Sequence, residues 1–411
     1  MNILFPTISS AIQNISNRGI YPDLVRKLLA EGHRVYVVYP LRKNDKLKLE
    51  KVDSLHMLGI PFTKITKASL PERVWAMLRI SSVFRSKINF FFPDVVFDVV
   101  LYATPPITFN GLLSKIKAEH NAFCFLMLKD IFPQNAVDLG MMSKSGLLFK
   151  LFRKQEERLY HLSDYIGCMS PANVKYIIEN SAIDLSSKVG ICSNGIEIRN
   201  KPLTDELKLK QKSKWNLPLD KTLIIYGGNL GKPQGLSFLR EILYHYKDDL
   251  QKHFVISGGG TEAKDLEKWI FNHQLVNVTF YNQMDRRKYD ELESAADLGL
   301  VFLDSRFTIP NFPSRMLSYM EHGLPILFSV DDATDAATIA EENGFGFRVK
   351  HGDSDNFIAI LNSLTSSKTM LAGMGKKGRV FLEQNFTVEQ VYQSIWAVLK
   401  KTNDKLAQDN I

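Results

Sequence analysis

Ser314, Arg315 and Ser318 follow a loop broken by Pro310 and Pro313 and precede the helix-stopping run His322-Gly323-Leu324-Pro325. An apolar run, Leu298 to Leu303, comes before that loop, and a second, Ile326 to Phe328, comes after the stop. Strand, loop, helix start, Gly-Pro stop and strand make a βαβ unit whose loop is aimed at a ligand. The helix start offers backbone N–H groups and the positive end of the helix dipole beside Ser314 and Arg315, which is the chemistry of a phosphate site.

Two glycine-rich stretches bear on the same chemistry. Tyr226-Gly227-Gly228-Asn229-Leu230-Gly231-Lys232-Pro233-Gln234-Gly235 follows an apolar strand. Glycine lets backbone approach a ligand, and Lys232 can supply charge. It is not a Walker A loop, because no Gly-Lys-Ser/Thr occurs and Pro233 follows the lysine. Ser257-Gly258-Gly259-Gly260 has the same character, and for both stretches a plain tight turn between strand and helix is the competing reading. Lys129-Asp130-Ile131-Phe132-Pro133 follows the apolar run Phe123 to Leu128, at the strand end where ligands bind in open α/β sheets. Asp130 reads either as a carboxylate that orients a substrate hydroxyl or as a turn residue before Pro133. Asp353-Ser354-Asp355 has the spacing of a metal-binding DxD pair but sits in a turn before a late helix, where capping is the favoured role. HExxH, a Cys/His cluster and Gly-x-Ser-x-Gly do not occur, so neither metal nor serine-hydrolase chemistry is expected.

The elements that must position these residues alternate regularly. Predicted strands run over 2–7, 35–39, 95–102, 123–128, 165–169 and 189–192, with an amphipathic helix over 21–31 closed by Gly32. Residues 201–214 are lysine-rich and predict a linker with a solvated helix. The alternation then restarts, with strands over 222–226, 254–257 and 278–281 and helices over 262–272 and 287–296. Late helices near 354–364 and 388–401 are amphipathic, with Trp396 on the apolar side. The expected fold class is α/β: two successive Rossmann-like halves with a cleft between them.

A chain of 411 residues exceeds one ordinary core, and 45% hydrophobic with 23% charged residues suits a soluble globular enzyme. Residues 1–200 hold 26 Lys/Arg against 17 Asp/Glu, whereas 201–411 hold 26 against 27. A basic first half meets an anionic surface or is merely solubilised by lysine. The segment 145–158 places Leu147, Leu148, Phe149, Leu151 and Phe152 among Lys150, Arg153, Lys154 and Arg158. It fits either an anionic membrane or packing on its own sheet. Cys124, Cys168 and Cys192 lack CxxC spacing and are expected buried and reduced. With no signal-like start and no run near ~20 apolar residues, a cytoplasmic location is expected. No aromatic–basic module for nucleic acid is visible.

Together these segments resemble the retaining glycosyltransferases of family GT4, which have the GT-B fold, and above all the branch that builds bacterial surface polysaccharides. The resemblance is carried by Gly32-His33-Arg34-Val35, by 129–133, by Ser193-Asn194-Gly195-Ile196 and by the glycine-rich stretches at 226–235 and 257–260. Asn277-Val278-Thr279-Phe280, Ala296-Asp297-Leu298 and 313–326 (PSRMLSYMEHGLPI) complete it.

It implies two Rossmann-like domains facing across a cleft. Residues 1–200, joined by the C-terminal helix 388–411, would bind the acceptor, and 201–387 the nucleotide-sugar donor. It also implies transfer of a hexosyl or N-acetylhexosaminyl group, from a nucleotide-diphosphate sugar with UDP favoured over GDP, to a hydroxyl of a polyprenyl-diphosphate-linked glycan. That transfer would take place at the inner face of the plasma membrane, with no metal, cofactor or nucleic acid. Asp130, Lys232 and Arg315 would carry catalysis, and domain closure would exclude water. The donor would be held by Gly228, Asn229, Gly258, Gln283, Met284, Asn311, Ser314, Arg315 and Ser318, with the base near 281–284. Relatives carry Glu at the position of Ser318 and at that of Pro310, and Arg and Lys at those of Asn229 and Gln234. Lys232 and Arg315 would compensate. A nucleotide-sugar 2-epimerase of the same fold and a non-catalytic nucleotide-sugar-binding subunit are the alternatives.

Overall fold

The computed structural model describes residues 1–62 and 70–408. Its contacts divide the chain into two compact units, Met1–Glu197 with Val388–Ile411, and Ile198–Thr387.

Unit 1 opens with β1 (Asn2–Pro6), α1 (Ile20–Ala30) and β2 (Arg34–Leu41), followed by a hairpin of β3 (Lys48–Val52) and β4 (Leu55–Pro61). After it come α2 (Leu70–Phe91), β5 (Val99–Ala103), α3 (Asn110–His120), β6 (Phe123–Leu128) and α4 (Gln134–Asp138). Then come α5 (Leu147–Leu162), β7 (Tyr165–Cys168), α6 (Pro171–Asn180) and β8 (Val189–Ile191). The sheet order is β3-β4-β2-β1-β5-β6-β7-β8, parallel except where β3 meets β4. Strands such as β5 and β6 are apolar throughout because a parallel sheet is covered on both faces.

Unit 2 begins with α7 (Asp205–Lys214), β9 (Thr222–Asn229), α8 (Leu236–His245), β10 (Lys252–Gly259), α9 (Ala263–Asn272) and β11 (Val278–Asn282). It continues through α10 (Arg286–Glu293), β12 (Leu298–Phe302), α11 (Arg315–Glu321), β13 (Ile326–Val330), α12 (Ala336–Glu342) and β14 (Gly346–Lys350). Helices α13 (Ser354–Thr365) and α14 (Lys368–Asn385) close it. The all-parallel order β11-β10-β9-β12-β13-β14 reverses direction between β9 and β12, and the crevice outside the C-terminal strand ends at such a reversal is where Rossmann sheets bind ligands. The last helix, α15 (Val388–Gln408), packs on α1 in unit 1, with Tyr392 and Ile395 in that unit's core and Trp396 against His33.

Some expectations need correction and others hold. The strand predicted over 95–102 starts only at Val99, because Val96 points to solvent while Phe97 is buried in the turn before it. Residues 201–214 are not merely a solvated linker. Helix α7 is pinned to unit 2 by Lys212, whose buried ammonium donates to Asp297 at 3.0 Å and to the Lys221 carbonyl at 3.0 Å. The glycine stretches at 227–229 and 258–259 are strand ends, paired in parallel register, and not loops. Asp353 caps α13, accepting from the Asn356 N–H at 3.2 Å. All three cysteines are buried thiols.

Candidate active site

The glycines explain the floor of the site. With Gly227, Gly228 and Asn229 opposite Ser257, Gly258 and Gly259, the two backbones run side by side with almost no side-chain bulk. A Cβ on Gly258 would lie 2.0 Å from the Gly228 carbonyl oxygen, so only glycine fits there. Helix α11 forms the adjoining wall. Its Tyr319 hydroxyl accepts from the Gly227 N–H at 3.2 Å and donates to the Leu300 carbonyl at 3.2 Å, tying the helix across β9 and β12 where the strand order reverses. The helix stops at Gly323, whose φ of +68° is a left-handed position that glycine takes without strain.

Between these walls lies a cavity of about 550 Å³, within the usual range of small-molecule sites. The structure brings Gly228, Asn229, Gly258, Gln283 and Met284 to its lining, together with Ser314, Arg315 and Ser318. It does not bring in three other candidates. Lys232 is exposed on a short turn three residues beyond Asn229. Asn311 belongs to the loop before α11 and is fixed instead to Thr334 and the Ile309 carbonyl. Asp130 belongs to unit 1.

Arg315 is the charge in this cavity with the least to neutralise it. Its guanidinium lies over the Tyr226 ring, 4.5 Å from the centroid, beside Gly228, and its buried Nη1 has no hydrogen-bond partner. A buried cationic donor without an acceptor costs free energy, and an anionic ligand group would satisfy it. Asn229 and Gln234 are bonded to each other, Nδ2 to Oε1 at 2.8 Å.

The spacing 286, 289, 293 places Arg286, Tyr289 and Glu293 on one face of α10, and all three line the cavity. No motif in the sequence marks them, and the i, i+3, i+7 spacing is the one signal it carries for them. Arg286 donates to Ser318 Oγ at 2.5 Å, and Ser318 donates to the Glu293 carboxylate. Tyr289 donates to Oε1 of Glu293 at 3.1 Å, and His322 Nδ1 lies 3.1 Å from Oε2. Burial alone would raise the Glu293 carboxyl, but the His322, Arg286 and Ser318 contacts outweigh it and hold it below the ordinary range. Burial likewise opposes charge on His322, and Glu293 overrides it, so the imidazole is raised. A carboxylate therefore does stand beside Ser318. It comes from α10 and not from α11.

In unit 1, Asp130 follows β6, and its N–H donates to Thr104 Oγ1 at 3.1 Å, as does that of Lys129 at 3.0 Å. Desolvation by the surrounding protein pushes the Asp130 carboxyl up to about 6, although the side chain keeps an exposed edge. Burial lowers the Lys129 ammonium, whose Nζ meets the Cys192 carbonyl at 3.5 Å. Burial first, then the charge of Asp130, raises the Tyr21 phenol.

Residues 208–381 match the family described as glycosyl transferases group 1. The chain is 20% identical over 291 residues to the probable glycosyltransferase WbjE of Pseudomonas aeruginosa, covering 71% of each. It is 24% identical over 257 residues to the putative colanic acid biosynthesis glycosyl transferase WcaI of Escherichia coli, covering 61% of this chain and 60% of that one. This protein is a glycosyltransferase. The crystal structure of Anabaena HepE in complex with UDP-glucose superposes with a TM-score of 0.68 at 16% identity, covering 98% of this chain and 100% of that one. The glycosyltransferase thus has the GT-B architecture of two Rossmann-like bodies. No helix among the described residues is long and apolar enough to cross a membrane.

Proposed function

We propose that this glycosyltransferase moves a hexosyl or N-acetylhexosaminyl group, with retention, from a UDP-sugar bound in unit 2 to a hydroxyl of a lipid-linked glycan that meets unit 1 at Asp130. It would work at the inner face of the plasma membrane as a GT4 enzyme of surface-polysaccharide synthesis. The observation that carries the donor half is Arg315, a buried guanidinium with an unsatisfied nitrogen beside two bare glycine strand ends. A diphosphate supplies the missing acceptor, and the glycines leave room for it against the backbone. The name of WcaI supports a polysaccharide pathway, and the UDP-glucose bound by HepE supports uridine over guanosine.

In this reading the bond from the anomeric carbon to the donor phosphate breaks as the acceptor oxygen attacks from the same face. The acceptor proton passes to the departing phosphate oxygen, and Arg315 stabilises the developing charge electrostatically. Asp130 orients the acceptor hydroxyl. Ser318, polarised between Arg286 and Glu293, meets the ribose hydroxyls with Glu293 as the carboxylate behind it. Gln283 and Met284 border the base, and Ser314 and Asn311 shape the loop that carries Arg315. These roles use side-chain and backbone donors and need neither metal nor cofactor.

A thermal-shift comparison of UDP, GDP and their sugars tests the reading. UDP compounds are expected to raise the unfolding temperature more than GDP compounds. A larger GDP shift would overturn the uridine assignment, and no shift with either would overturn the donor site.

A further inference from the structure

Asn200, the third residue of unit 2, has its backbone clamped from two helices. The buried carboxylate of Glu321, the last residue of α11, accepts from the N–H groups of Arg199 and Asn200 through Oε1, at 2.8 and 2.9 Å. Arg379 of α14 donates through Nη1 to the Asn200 carbonyl at 2.6 Å and to the Glu321 carbonyl at 2.8 Å. The backbone of Asn200 is therefore held at both its N–H and its carbonyl, by contacts that do not involve its side chain.

That side chain reaches a different partner. Asn200 Nδ2 lies 3.2 Å from Nε2 of the buried His322. An amide nitrogen only donates, so Nε2 accepts and the imidazole proton stands on Nδ1. There it faces two acceptors, Oε2 of Glu293 at 3.1 Å and the Ser318 carbonyl at 3.1 Å. When the ring is protonated, the amide turned over offers Oδ1 to the Nε2–H, so Asn200 keeps Nδ1–H on Glu293 in either charge state. Glu293 in turn accepts the Ser318 hydroxyl proton. With that proton committed, Ser318 Oγ presents lone pairs alone to the cavity, one taken by Arg286 and the other left for a ligand hydroxyl.

We propose that Asn200, although it does not line the cavity, is a positioning residue for the donor ribose, acting through His322 and Glu293 to fix the direction of the Ser318 hydroxyl. Without the amide, Nε2 is an acceptor with no donor in a buried ring. The ring gains by moving its proton to Nε2, which turns the bare lone pair of Nδ1 against a carboxylate and a carbonyl. Glu293 then loses a donor, and its hold on the Ser318 proton slackens. A Ser318 hydroxyl free to rotate no longer offers a fixed acceptor to a ribose hydroxyl. The inference rests on the reading that Ser318 meets the ribose, and deepens it by naming the residue that orients that contact from the place where the chain enters unit 2.

The test is titration calorimetry of UDP and of 2′,3′-dideoxy-UDP into the full chain, as wild type, Asn200→Ala and Asn200→Asp. The wild type is expected to bind UDP about three- to tenfold more tightly than the dideoxy compound, the worth of one hydrogen bond. Asn200→Ala should weaken UDP by about that factor and leave the dideoxy compound at its wild-type affinity, which also shows that the variant folds. In Asn200→Asp the carboxylate accepts from the protonated Nε2 and keeps Nδ1–H on Glu293, so most of the preference for UDP should return. A preference that Asn200→Ala retains overturns the proposal. Equal weakening of both compounds also overturns it, because a merely structural role has that effect, and so does an Asn200→Asp variant no better than Asn200→Ala. A wild type without preference between the two compounds overturns the ribose role of Ser318 as well, and leaves the grip of Arg315 on the diphosphate standing.

Discussion

Glu293 has no exposed surface, and the groups that let it stay charged are His322, Arg286, Ser318 and Tyr289. His322, with its raised pKa, stabilises the fold fully below the ordinary imidazole range and loses that effect as pH rises through its folded value. Glu293, with its lowered pKa, contributes above the ordinary carboxylate range and loses its effect as pH falls through its folded value. The pair is thus strongest between those ranges. His322→Gln should cost about 3 kcal/mol near pH 5.5, roughly 6–12 °C in unfolding temperature, and distinctly less at pH 8.5. Melting curves of both proteins at the two pH values check this. Asp130 is shifted the opposite way from Glu293, its raised carboxyl becoming protonated as pH falls toward and below about 6. Transfer by the wild type is expected to decline there, and Asp130→Asn should lose most transfer at every pH while keeping UDP binding, measured by product formation and calorimetry. Ser314, Arg315 and the glycines were legible in the sequence because fixed spacing to a strand end and a proline-broken loop marks them. Glu293 was not. The resemblance assigns a carboxylate to the position that Ser318 occupies on α11, whereas the fold delivers one from the neighbouring helix, and only tertiary packing brings the two together.

The parallel strands were readable for a simple reason: burial on both faces leaves apolar runs that few other elements show. The hairpin strand β3 was not readable, because it is a half-exposed edge with the polar sequence KLEKV. Helix α2 also escaped, since Trp75, Leu78 and Phe90 face solvent and blur the stripe that would have marked its buried side. The glycine stretches were read as loops because glycine usually signals turns. Here they pair, since the close approach of β9 and β10 leaves no room for a Cβ. Gly258→Ala forces a shift of the Gly228 carbonyl, so it should cost about 1–3 kcal/mol, or roughly 3–10 °C, and abolish most UDP binding. Scanning calorimetry with and without UDP measures both effects, and a variant that melts and binds like the wild type would show that the two strand ends are not held so tightly.

Across the whole molecule, each unit buries its own apolar core, and the charge excess resides in the first 200 residues. A ligand confined to unit 2 stabilises that unit by about 2.7 kcal/mol at a concentration of 100 times its Kd. UDP is therefore expected to move the unfolding transition that includes residues 198–387 and to leave a separate transition of unit 1 in place. Hydrogen exchange in the presence of UDP should assign the protected amides to β9, β10 and α11, and protection confined to unit 1 would contradict that placement. The central claim is that Arg315, through its unsatisfied Nη1, grips the donor diphosphate. Titration calorimetry of UDP into the wild type and Arg315→Ala tests it most directly. Loss of charge-assisted hydrogen bonds worth about 1.5–3 kcal/mol should weaken UDP binding by about 10- to 100-fold, with the unfolding temperature of the free protein nearly unchanged. Equal affinity in the two proteins would contradict it.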